Sequence, residues 1–187
     1  MRRPSTYPPA GPTAVIIMGV AGSGKSTLGA YLGQALDCPF LEGDDFHSAE
    51  AVAKMRGGQP LTDTDRWPWL DRLGGAIADV VKARGIAVAA CSALRRCYRD
   101  RLIDAIGAPT RFVLLDSARG ELQRRLASRS GHYMPPTLLD SQLATMEAPA
   151  ADEHAITLDA GEPVATLARE ALAWLTLPAG AAGDASR

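Results

Sequence analysis

Residues 19–26 read Gly-Val-Ala-Gly-Ser-Gly-Lys-Ser, a complete G-x-x-x-x-G-K-S pattern. Before it, Ala14-Val15-Ile16-Ile17-Met18 is continuously apolar, as in a strand buried on both faces. After it, Leu28, Leu32 and Leu36 recur at helical spacing, predicting a helix over Ser26–Leu36. A strand that enters such a loop and leaves as a helix turns successive backbone N–H groups inward and adds a helix N-terminus, which together hold phosphate. Gly19, Val20, Ala21, Gly22, Ser23, Gly24, Lys25, Ser26 and Thr27 are therefore candidates to bind ATP or GTP. Lys25 would reach the β- and γ-phosphates, and the Ser26 hydroxyl would ligate Mg²⁺. An incidental lysine in a glycine turn is the competing reading. Lys25, Lys54 and Lys82 are the only lysines among 20 basic residues, which weakens it.

The same punctuation continues along the chain. Short strand-like runs are predicted at Cys38–Glu42, Ile86–Cys91, Arg111–Leu115 and His154–Leu158. Between them lie helical stretches at Ser48–Met55, Asp65–Arg84, Leu94–Ile106, Gly120–Ser128, Leu138–Met146 and Pro163–Leu175. Apolar strands alternating with helices predict an α/β fold with a five-stranded parallel sheet and helices on both faces, in three layers. Ligands in such folds bind beyond the carboxyl ends of the strands.

One domain over 13–176 is expected from 187 residues, with a disordered lead over 1–12 and a flexible tail over 177–187. A net charge of −1 gives no footprint for nucleic acid. No apolar run approaches the roughly 18 residues of a membrane span. Cys38, Cys91 and Cys97, widely spaced and without an export signal, predict a reduced, cytoplasmic protein rather than a disulfide framework.

Acids are absent where phosphate-loop proteins usually keep one, because the third strand ends Ala89-Ala90-Cys91-Ser92. Asp116, at the end of the fourth strand, competes for that role, though an aspartate capping the next helix is the plainer reading. The acids cluster instead after the second strand, in Leu41-Glu42-Gly43-Asp44-Asp45-Phe46-His47. Glu42 and Asp44 share a side in extended chain. They could hold Mg²⁺ through water while one of them accepts a hydroxyl proton. An Asp-rich turn capping the helix at Ser48 is the alternative.

Taken together, GVAGSGKS, LEGDDFH, KMRGGQPLTDTDRWPWL, CSALRRCYRD, RLASRSGHYM and LLDSQLATMEAP run in one order from about Val15 to Leu175. In this the chain resembles the gluconate kinase family of small P-loop kinases, related in architecture to shikimate and nucleoside monophosphate kinases. Glu42 stands where that family often has Asp. The resemblance implies a P-loop kinase fold with a mobile lid at about 129–136. It also implies transfer of the ATP γ-phosphoryl group to the C6 hydroxyl of D-gluconate, with Mg²⁺ on Ser26 and, through water, on Glu42. Asp44 would be the base, and Lys25, Arg125 and Arg129 would meet the transferring group. Asp44, His47, Arg66, Ser92, Arg95, Arg99 and His132 would contact a sugar acid, which needs a guanidinium for its carboxylate and partners for its hydroxyls. Pairing as a homodimer is carried by the same resemblance. The rival readings are a sibling kinase acting on shikimate or a nucleoside monophosphate, and an acceptor-independent regulatory ATPase.

Overall fold

The structure is a computed structural model that describes residues 11–127 and 136–177. Its centre is β1 (Thr13–Met18), every residue of which is buried. The other strands are β2 (Phe40–Glu42), β3 (Ile86–Ala90), β4 (Thr110–Asp116) and β5 (Ala155–Asp159), in the sheet order β2-β3-β1-β4-β5. All four pairings are parallel, with Ile16 opposite Ala89 on one side and Phe112 on the other.

Side chains alternate faces along a strand, so each apolar run feeds two cores at once. Ala14, Ile16 and Met18 pack with Leu70, Leu73 and Ile77 of α3 (Asp63–Arg84) and with Tyr98 and Leu102 of α4 (Arg96–Ile106). Val15 and Ile17 pack on the opposite face with Leu28 and Leu32 of α1 (Lys25–Ala35) and with Leu167 and Ala171 of α7 (Val164–Leu175). A third cluster sits beyond the carboxyl end of the sheet. There Val20 meets Leu94, Leu122 of α5 (Arg119–Ala127) and Leu139 of α6 (Pro136–Thr145). It anchors the loop after β1 from outside.

The strand order places a switch point at β1. The chain goes from β1 out to β2, returns through β3, and then crosses to β4 on the other side. The connections after β1 and β3 therefore diverge from the β4 side and open a crevice at their carboxyl ends, the usual ligand position in open α/β sheets.

The expected parallel sheet with helices on both faces is present. The helix starts differ from expectation by one or two residues, and for two of them the cause is visible. α3 begins at Asp63 rather than Asp65, because Thr62 is the cap: its hydroxyl accepts from Asp65 N–H while the Asp65 carboxylate accepts from Thr62 N–H. Asp65 also accepts from Lys54 Nζ at 2.7 Å, tying α3 to α2 (Ala49–Arg56), and this bond leads the causes that pull its carboxyl down to about 2. α4 begins at Arg96 rather than Leu94, since Leu94 is buried in the third cluster and its carbonyl accepts from Glu147 N–H at 2.8 Å. The expected lid, about 129–136, and its Arg129 and His132 lie outside the described residues, apart from Pro136 at the start of α6. Most of the expected lead and tail lies outside them too.

Candidate active site

The loop between β1 and α1 has the geometry its glycines require. Gly19, Gly22 and Gly24 all have positive φ (139°, 83° and 99°), and a Cβ on Gly19 would lie 2.8 Å from the Leu115 carbonyl oxygen. Lys25 Nζ folds back to donate to the Val20 carbonyl at 3.0 Å, arching over the loop. Ala21 N–H donates to Gln142 Oε1 at 2.7 Å. The Ser23 side chain is buried, and its hydroxyl has no hydrogen-bond partner among the described residues. An orphaned hydroxyl inside a ring of loop amides fits a site built for phosphate oxygens.

The acid-bearing turn after β2 is the opposite wall. Residues Gly43–Phe46 form one turn of 3₁₀ helix, and a Cβ on Gly43 would come within 2.2 Å of the Ala90 carbonyl oxygen, so only glycine lets β2 end against β3 here. Two residues one turn apart on α3 clamp this segment. Trp69 Nε1 donates to the Gly43 carbonyl at 2.7 Å, and Arg72 donates twice to the Phe46 carbonyl, at 3.0 and 2.9 Å. Asp44 is thereby held with its side chain 83% exposed. His47 stacks on Trp69 with ring centroids 4.1 Å apart, its side chain only 4% exposed and its Nδ1 without a partner among the described residues. Burial pushes the His47 imidazole below its ordinary value, with Asp44 opposing and Arg72 and Arg66 assisting. At neutral pH it is an uncharged hydrogen-bonding group.

Arg66 comes from the same helix. Its Nη1 donates to the Tyr98 hydroxyl at 3.1 Å, and its guanidinium lies 5.2 Å from the centre of that ring. Tyr98 in turn donates to Asp63, which holds the phenol in place and draws the Asp63 carboxyl below its usual range. The arginine is thus fixed from beneath by a chain of buried and half-buried partners.

These walls face one another across a cleft. It is lined by Lys25 and Ser26 on one side, by Glu42, Asp44, His47 and Arg66 on the other, and by Ser92 and Gln142 at its edges. A second cavity lies behind the loop, lined by Ser23, Thr27, Arg125, Ala160 and Glu162. Loop amides from Gly22 to Gly24 stand between the two. The arrangement suits a phosphate tail held at the loop, with one end toward each cavity.

A profile of the AAA domain family matches residues 15–149. The chain is 47% identical over 145 residues to a gluconokinase of Gluconobacter oxydans, spanning 78% of this chain and 81% of that protein. It is 39% identical over 157 residues to the thermosensitive gluconokinase of Escherichia coli, spanning 83% of each. The chain belongs to the gluconokinase family. Among solved structures, a gluconokinase from Sinorhizobium meliloti superposes with a TM-score of 0.79 at 43% identity, covering 88% of this chain and 91% of that one. An APS kinase from Mycobacterium tuberculosis, at 20% identity and a TM-score of 0.60, shares the fold.

Of the residues that the gluconokinase resemblance assigned to the site, the structure brings Asp44, His47, Arg66 and Ser92 to the cleft beside Lys25, Ser26 and Glu42. Arg99 is a correction. It is 1% exposed, its Nε and Nη2 engage the Glu153 carboxylate, and its Nη1 donates to the carbonyls of Ala93 and Glu147 at 3.1 Å each. All three guanidinium nitrogens are engaged inside the protein and the side chain is buried, so it braces the β3–α4 connection, where Ala93 has φ of 43°, and does not face the cleft. Arg95 is also outside the cleft lining. It donates to Asp63 at 2.9 Å and to Glu147 at 3.4 Å. Arg125 lines the second cavity rather than the cleft, bonding Glu121 and the Ala160 carbonyl at 2.7 Å each. Ser23 and Thr27 face that cavity as well. The sequence reading missed Trp69 and Arg72 as clamps, Tyr98 and Asp63 as supports, and Gln142. The i, i+3 spacing of Arg66, Trp69 and Arg72 was the available signal for one shared helix face.

Proposed function

We infer that this protein is a gluconokinase, which moves the γ-phosphoryl group of ATP to the C6 hydroxyl of D-gluconate, releasing 6-phosphogluconate and ADP. The observation that carries this reading is the single cleft whose walls are a phosphate loop with Lys25 and Ser26 and, opposite, Asp44, His47, Arg66 and Ser92. A carboxylate, a fixed guanidinium, a neutral imidazole and a hydroxyl suit an anionic polyol. A water-splitting ATPase has no need of such a set.

In this mechanism the loop amides and Lys25 bind the triphosphate and take up charge on the transferring group. Asp44 accepts the proton of the attacking hydroxyl as its oxygen forms the new P–O bond and the bond to the ADP oxygen breaks. Arg66, held by Tyr98, pairs with the gluconate carboxylate, and His47 and Ser92 bond its hydroxyls. Mg²⁺ would sit on the Ser26 hydroxyl and, through water, on Glu42. These hard oxygen donors line one cleft, a set that fits an ion held mainly by phosphate and water. When bound, the ion neutralises β/γ charge. Arg125, Ala160 and Glu162 receive the nucleoside from the second cavity.

The proposal extends to a homodimer in the cytoplasm. Among the described residues, no helix is long and apolar enough to cross a membrane. ADP release measured side by side with gluconate, shikimate, AMP and no acceptor tests the reading. Turnover with gluconate alone supports it. Turnover with shikimate or AMP favours a sibling kinase, and an equal rate without acceptor favours a hydrolase.

A further inference from the structure

A hydrogen bond joins helix α6 to the phosphate loop, from Ala21 N–H to Gln142 Oε1, spanning 121 residues of sequence. A backbone N–H requires an acceptor, so the carboxamide oxygen faces the loop and its NH₂ group is turned elsewhere. Leu139 and Leu143, one turn apart, pack with Val20 and seat the helix firmly. Leu138, Ser141, Gln142 and Thr145 form the helix face that lines the cleft.

The two cavities fix which end of the phosphate tail lies near Gln142. Ser23 and Thr27 line the nucleoside-side cavity, whereas Ala21 and Gln142 line only the cleft that holds Asp44 and Arg66. The tail runs from the nucleoside-side cavity into the cleft, so its terminal group is the part that arrives beside Ala21. There the loop supplies amide donors, and Gln142 adds two more from outside the motif.

We propose that Gln142 is a specificity-determining residue for the triphosphate: with its oxygen on the Ala21 amide, its NH₂ group donates to the terminal phosphoryl group. The proposal rests on the kinase reading, in that it requires a nucleotide at the loop. It does not depend on which acceptor is used. A diphosphate lacks the group that Gln142 reads, so the residue should weigh on ATP and hardly on ADP.

The test measures affinities for ADP and for a non-hydrolysable ATP analogue, both with Mg²⁺ and without acceptor, on the full-length chain and two variants. Gln142→Ala should weaken the analogue about tenfold and ADP less than about threefold, the loss of one hydrogen bond to a charged group. Gln142→Glu keeps an oxygen for the Ala21 amide but sets a carboxylate against the phosphate, and should weaken the analogue further still. Equal weakening of both nucleotides, no weakening of either, or wild-type analogue binding by Gln142→Glu would overturn the proposal. Melting curves establish that each variant is folded; if Gln142→Ala is not, Gln142→Glu and Gln142→Met carry the comparison. Since no acceptor is present, a failure of gluconate to support turnover would leave this result standing.

Discussion

Replacing Arg99 by methionine separates a bracing arginine from a substrate-binding one. The side chain has the length to fill the space, but Glu153, whose side chain is 6% exposed, would lose its bidentate partner. Removing one member of a buried ion pair costs ~3–5 kcal/mol because the other charge stays desolvated, which for a domain of this size lowers Tm by roughly 6–20 °C. The carbonyls of Ala93 and Glu147 lose their donor in the same step. The pH dependence has a definite sign. In the wild type, hydrogen bonding from Arg99 is the leading cause holding the Glu153 carboxyl below its usual range. That stabilisation is complete above the unfolded carboxyl value of about 4.3 and is lost as pH falls through the lower folded value. In the variant that lowering is gone while burial still opposes the charged form, so the deficit should be full above about 4.3 and shrink as pH falls below it. Urea unfolding at several pH values, with gluconate titrated into the folded protein, reads both effects, and Arg99→Met/Glu153→Leu should recover at least half of the lost stability. An unchanged Tm together with weakened gluconate binding would refute the reasoning and return Arg99 to the substrate.

Two further outcomes follow from the acid turn. Trp69→Phe leaves the buried Gly43 carbonyl without its indole donor, a loss of ~1–3 kcal/mol; steady-state kinetics should show a lower kcat/KM for gluconate with KM for ATP unmoved, and an equal rise in both KM values would contradict the clamp. Because burial holds His47 below its ordinary value of about 6.5, the unfolded chain binds its proton first and wild-type stability should fall as pH drops below about 6.5. His47→Gln should flatten that slope between pH 7 and 5 in urea midpoints, and parallel slopes would show that His47 is not the group responsible.

Much of the fold was legible because β1, β3 and β4 are buried on both faces and so read as unbroken apolar runs. Their order in the sheet was not, since it depends on where the crossovers pack. The phosphate loop was readable for a similar reason: its chemistry lies within eight consecutive residues. The start of α3 was not readable in the same way, because the reciprocal bond between Thr62 and Asp65 is what sets it. Arginines were the harder problem. Arg66, Arg95 and Arg99 carry the same charge, yet one lines the cleft, one joins a half-exposed ion pair and one is sealed inside. The partners that decide this, Tyr98, Asp63 and Glu153, act across tens of residues, as Gln142 does toward Ala21.

The central claim, that the Asp44 carboxylate takes the proton of the acceptor hydroxyl, is tested most directly by the gluconate-dependent kcat of Asp44→Asn alongside its ATP affinity. With its side chain 83% exposed, the substitution should leave the fold intact. The account predicts that kcat falls by about 10²–10⁴-fold while ATP affinity changes by less than about threefold. Turnover near the wild-type rate would contradict it.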